Sequence, residues 1–165
     1  MLELIFVIIV IGILAAAIIP RMDRDTLYEA SEQLLSHIKY TQHLAMTDNV
    51  YDDTDTTWYA NRWRIDLNNT TDSYEITNGT VRARDPLSGN DIDGTDDYNL
   101  NEKYSAQIDA DYTLAFDHLG RPHSGVAGSV ANIMTTNLTI TITASGETAT
   151  LTVTPETGYS YITYN

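Results

Sequence analysis

Four histidines, a run of carboxylates and one acidic sequon are the side chains of this sequence with spacing that could do chemistry. His37 and His43 are six apart, whereas a zinc hydrolase helix needs two His four apart with a Glu beside them. They do not form that site. His118 and His123 flank Gly120-Arg121-Pro122 and read as polar residues of a surface turn. Asn90-Asp91-Ile92-Asp93-Gly94-Thr95-Asp96-Asp97 sets Asp91, Asp93, Asp96 and Asp97 around a glycine, as hard calcium sites do. The EF-hand spacing fails, because Gly89 stands where the first Asp should be; an acidic solvated loop is the competing reading. Asp66-Leu67-Asn68-Asn69-Thr70 follows the acidic bacterial N-glycosylation pattern and makes Asn68 a candidate acceptor. There is no Gly-x-Ser-x-Gly elbow, no phosphate-cradling Gly-rich loop and no cysteine, so an enzyme is not expected.

The chain has 165 residues and 18.4 kDa, enough for one domain and an appendage. With 23 acidic and 9 basic side chains the net charge is -14, which opposes binding to nucleic acid or anionic lipid. Partners should be neutral, cationic or further copies. Lack of cysteine removes disulfides and thiolate zinc sites. Fifteen aromatic residues, eleven of them Tyr, fall mostly at strand positions, where sheet packing accounts for them.

The mean hydropathy of -0.23 averages two unlike parts. From Leu4 to Ile19 sixteen consecutive residues carry no charge, closed by Pro20 and Arg21. As a helix they span roughly 24 Å at about 1.5 Å per residue, near the lower limit for crossing a bilayer. Apolar on every face, such a helix must be surrounded by lipid or by other helices. A cleaved secretory signal, a plain membrane anchor and a helix that later packs into a filament all meet this need. A basic region should open a signal, and here the sole charge ahead of the run is Glu3. An acid at such a depth is costly and tends to be paired and functional.

Glu3-Leu4-Ile5-Phe6-Val7-Ile8-Ile9-Val10-Ile11-Gly12-Ile13-Leu14-Ala15-Ala16-Ala17-Ile18-Ile19-Pro20 resembles the N-terminal helix of type IV pilins and type II secretion pseudopilins. The resemblance implies a leader removed by a prepilin peptidase, a methylated N-terminal residue and a glutamate at the fifth mature position. Here the glutamate is third: either the leader and two mature residues precede Met1, or the mature terminus is unusually short. In the family the terminal amine neutralises the glutamate of a neighbouring subunit, which implies that role for Glu3. Gly12 and Pro20 match the positions at which family helices loosen or bend, consistent with what Gly and Pro do to helices.

Beyond Pro20 the pattern becomes amphipathic, with Leu27, Ala30, Leu34, Ile38, Thr41 and Ala45 at intervals of three and four. One helix should continue to about residue 49, with Glu29, Glu32, Lys39 and Gln42 around its other faces. From about Trp58 the period becomes two. Trp63, Ile65 and Leu67 mark a strand; Asn78-Gly79 predicts a type I′ hairpin; Tyr112, Leu114 and Phe116 mark another strand. Leu138 to Val153 reads as a Thr-rich hairpin with one dry face, and Tyr159 to Tyr164 as a terminal strand. Residues 48–57, 85–101 and 124–131 read as surface loops. The expected fold is α+β, a long N-terminal helix with an apolar first half and an amphipathic second half packed on an antiparallel sheet. Residues 1–20 form the membrane or filament-core segment and 21–165 a globular head. The helix-then-sheet order and Phe116-Asp117-His118-Leu119-Gly120-Arg121-Pro122 resemble minor pseudopilins.

Function follows as an expectation: a structural subunit of a pilus-like or pseudopilus filament, assembled from the inner membrane and delivered to a periplasmic or extracellular fibre. Its partners would be copies of itself, other pilins or pseudopilins, the prepilin peptidase and an assembly platform, with no nucleic acid. No cofactor is expected unless the Asp91 to Asp97 run takes calcium. A monomeric membrane-anchored external module binding calcium or a sugar is the alternative.

Overall fold

A computed structural model of the chain describes residues 2–48, 50–125 and 132–165, and, within the first helix, side chains at 3–14 and from 26 onward. Helix α1 runs Leu2–Thr47. Leu27, Ala30, Leu34, Ile38, Thr41 and Ala45 are buried, the stripe that their spacing predicts. Polar members of that stripe satisfy their hydroxyls on the preceding turn: Ser31 Oγ donates to Leu27 O at 2.7 Å and Thr41 Oγ1 to His37 O at 2.8 Å. Where the helix ends, Thr47 donates its own hydroxyl to His43 O at 3.0 Å and Asp48 N–H closes on Leu44 O.

Strands β1 (Arg64–Asn68), β2 (Ser73–Thr77), β4 (Tyr112–Phe116) and β5 (Pro122–Ser124) form one antiparallel sheet in the order β2-β1-β4-β5. Strands β3 (Ala106–Ile108), β6 (Leu138–Ala144), β7 (Glu147–Val153) and β8 (Ser160–Tyr164) form a second, in the order β3-β6-β7-β8. Helix α1 packs on both, and Ile65, Tyr74, Ile76, Leu114 and Phe116 of the first sheet meet Ile140, Ile142, Leu151 and Val153 of the second in one apolar core. A short helix α2 (Leu100–Tyr104) is capped by Asn99, whose side chain accepts Glu102 N–H. Buried Asp72 ties the sheets together: its Oδ1 accepts Ile108 N–H at 2.9 Å and its Oδ2 accepts Asn101 Nδ2 at 3.0 Å.

The expected fold of a long, half-apolar helix on one antiparallel sheet is corrected. The described residues form two four-stranded sheets, because period-two alternation reveals strands but not their pairing partners. The apolar part of α1 with described side chains covers 12 residues, Glu3 to Leu14, and none of it packs on the head. Among the described residues no helix is long and apolar enough to cross a membrane. That finding overturns the membrane segment, the transmembrane helix and the inner-membrane precursor. The expected loop at 85–101 is also corrected: Arg84 bridges Asp91, Glu75 bridges Asp93, and Ile92, Tyr98 and Leu100 are buried. Polar composition hid three apolar anchors spaced too irregularly to show a period. Asn78-Gly79 does turn the chain, but not as type I′: Asn78 Oδ1 accepts Thr80 and Val81 N–H, and of the two residues only Gly79 has positive φ. The type I′ signature, positive φ at both turn positions, falls instead at Ser145 and Gly146 between β6 and β7.

Candidate assembly site

Glu3 and the apolar residues after it stand clear of the head. Leu4, Phe6 and Ile13 are each about two-thirds exposed, at 65%, 67% and 66%, and the other large side chains from Ile5 to Leu14 are exposed all around the helix. No described residue pairs with the Glu3 carboxylate. At Gly12 an added Cβ would meet open space, so nothing within the single chain requires glycine there. Pro20 lies in the stretch 15–25, whose side chains fall outside the described residues. Of the three residues singled out for assembly, the structure thus places Glu3 and Gly12 on one exposed apolar rod.

The other half of α1 is held to the head by polar pins that sequence reading missed. Gln33 is the first. Its Nε2 donates to Tyr74 Oη at 2.6 Å and Asp97 O at 2.7 Å, while its Oε1 accepts Tyr104 O–H at 2.7 Å and Lys103 Nζ at 3.1 Å. Tyr74 Oη, which accepts that amide, also lies 2.7 Å from His37 Nδ1. Burial lowers the His37 pKa below its ordinary value of 6.5, against the pull of Asp85. The Tyr74 hydroxyl is pushed far up, first by burial. Near the end of the helix Gln42 Nε2 donates to Gly120 O at 2.8 Å and Thr157 O at 3.0 Å.

Beneath that end lies a buried ionic cluster. Arg62 is stacked over the Trp58 ring at 4.8 Å and donates from Nη1 to His123 Nδ1 at 3.1 Å. His123 Nε2 in turn donates to Asp117 Oδ2 at 3.3 Å, which also accepts Arg121 Nε at 2.8 Å. A guanidinium only donates, so His123 is neutral here; burial is the first cause that lowers its pKa. Burial raises the Asp117 carboxyl, but hydrogen bonds from Arg121, His123 and Leu119 N–H outweigh it and hold the group below the usual carboxylate range. The expectation of a surface turn is therefore corrected for His123, which is 1% exposed, and holds for exposed His118. A His just after a turn carries no signal of burial; only its β5 position, pairing with Ala115, reveals it.

The calcium candidates are dispersed. Asp91 faces Arg84 at 3.5 Å, Asp97 faces Lys103 at 3.1 Å, and Asp93 accepts the Thr95 hydroxyl and N–H. Among the described residues no three His, Cys, Asp or Glu side chains are grouped to hold a metal ion. Asn68 is the exposed last residue of β1, its Oδ1 accepting Thr70 N–H at 2.8 Å and Thr71 N–H at 3.2 Å in the turn that follows. No protein-family model, no curated protein and no solved structure matches the chain.

Proposed function

We propose that the chain is a structural subunit of a pilin-like helical filament, joined through the apolar N-terminal part of α1. The observation that supports this reading is the exposed rod from Leu4 to Leu14, apolar on every side. A contiguous apolar surface of that kind marks an interaction site, and a helix without a polar face is complete only when surrounded. Copies stacked along their helices supply that environment by a heterologous contact that does not close, and repetition yields a fibre. Removing apolar area from water contributes roughly 25 cal/mol per Å². Glu3, which pairs with no described residue at the start of the rod, sets the register by meeting a cation on a neighbouring copy.

Negative-stain microscopy and sedimentation of the full chain test this. Fibres are expected, and Glu3→Ala should slow or stop their growth while leaving the far-UV circular dichroism of the head unchanged. Growth of Glu3→Ala at the wild-type rate removes the role of Glu3. A full chain that stays monodisperse across concentration and salt removes the filament.

A further inference from the structure

The face of the second sheet opposite Ile140, Ile142, Leu151 and Val153 contributes no residue to the apolar core. On it Thr139, Thr141 and Thr143 of β6 stand opposite Thr152, Thr150 and Thr148 of β7. Strand β8 extends the array with Tyr161 opposite Thr152 and Thr163 opposite Thr150. The alternate residues Ile140, Ile142, Leu151 and Val153 are buried, so the threonines face outward. Strand spacing of about 4.8 Å and a repeat of about 7 Å along each strand give a regular grid of hydroxyls and methyls. None of these positions is acidic or basic, in a protein of net charge -14.

Most of these hydroxyls make no hydrogen bond to a described residue. Among these threonines only Thr150 has a hydroxyl partner within the described structure, accepting Asn165 Nδ2 at 3.3 Å. Thr152 is just 6% exposed, and still its hydroxyl makes no hydrogen bond to a described residue. Beside it the rings of Tyr159 and Tyr161 lie 5.8 Å apart at an interplanar angle of 28°, and both are exposed. Near-parallel aromatic rings next to unpaired hydroxyls suit one class of ligand, whose rings carry C–H faces and equatorial hydroxyls.

We propose that this face binds a neutral polysaccharide, with Tyr159 and Tyr161 stacking on sugar rings while Thr150, Thr163 and Asn165 exchange hydrogen bonds with sugar hydroxyls. A second copy of the chain fits less well. Three strands of up to seven residues cover roughly 14 by 23 Å, about 300 Å², against about 800 Å² per partner in specific protein pairs. Threonine is also scarce among the residues that dominate protein interfaces. Acidic glycans are repelled by the net charge. The inference stands independently of filament assembly.

The test is co-sedimentation of the full chain with swollen cellulose, chitin or starch granules, with alginate gel as an anionic control and the chain spun alone as a blank. Retention on at least one neutral polymer, above the blank, absent on alginate and unchanged by added salt, is expected. Tyr159→Ala and Tyr161→Ala should each weaken retention on the order of tenfold, and Thr150→Val, which keeps shape and removes a hydroxyl, by about fivefold; thermal melts verify that the variants fold. No retention on any of the three polymers overturns the proposal, as does wild-type retention by both tyrosine variants. Altered fibre growth in those variants with unchanged retention also overturns it and assigns the face to contact between copies.

Discussion

The two halves of α1 share a helical backbone and differ in everything that surrounds it. From Leu27 to Ala45 one stripe is buried and the flanks are pinned by Gln33, His37 and Gln42. From Leu4 to Leu14 every side is apolar and every side is exposed. An amphipathic helix is finished by its own chain, whereas an all-apolar helix must be finished by another molecule. Substitution in the amphipathic half should therefore be read in the stability of the head, and substitution in the apolar half in assembly.

The sharpest way to probe the anchored half is its ionic base. Asp117→Ala takes the carboxylate from half-exposed Arg121 and leaves buried Arg62, which bonds His123, without the negative charge that offsets its own; an uncompensated buried charge costs about 3–5 kcal/mol, and urea unfolding should show this loss. Leu34→Ala, at a fully buried site, should cost about 2–5 kcal/mol. Its counterpart Ile8→Ala should leave the head's unfolding midpoint unchanged and slow fibre growth. Equal losses of head stability at both positions would break the contrast between the halves. At Gly158, φ is +65° and a Cβ would come within 2.7 Å of Gly120 O and 2.6 Å of Gln42 Nε2. Gly158→Ala should therefore loosen the Gln42 pin, at about 1–3 kcal/mol by strain.

Acidification should act on the same half more gently. His37 and His123 both have folded pKa values lowered from 6.5. The unfolded chain therefore binds more protons than the folded one as pH falls below about 6.5, and stability declines from there toward the lowered folded values. Above that range the contribution is fully present. Asp117, depressed below 3.8 in the fold, adds a second decline that begins only as pH falls through the ordinary carboxylate range. Unfolding midpoints measured from about pH 8 down to about pH 5 should fall; a His37→Gln chain, lacking one of the two titrating groups, should show a shallower slope. The smallest effect is expected from salt. Residues 21–165 carry 22 acids and 9 bases, and screening their repulsion should increase fibre yield up to moderate ionic strength, as light scattering would record.

Much of the scaffold was legible because it follows simple periods. The buried stripe on α1, the strands around Ile65 and Leu114, and the β6–β7 hairpin all coincide with apolar positions that repeat every three to four or every two residues. What escaped has no period. The 85–101 segment looks like an acidic loop, yet Ile92, Tyr98 and Leu100 are drawn into the core, each by a contact distant in sequence. Gln33 and His123 are single polar letters whose importance lies in partners forty or more residues away. The apolar rod was evident, but its reach was overread: no described helix is long and apolar enough to cross a membrane.

Sequence by itself determined the acidity of the head, the absence of thiol chemistry, the apolar rod bearing Glu3 and the alternation that gives the Thr-rich hairpin one dry and one hydroxylated face. These are properties of residue type and local spacing, so no folding partner is needed to read them. Only the tertiary structure decided that the strands divide between two sheets, that Gln33 and Gln42 fasten the helix, that His123 lies buried between Arg62 and Asp117, and that Tyr159 and Tyr161 stand beside the threonine grid. Each of those depends on which distant segments meet, and pairing energy is shared among many residues rather than written in any one.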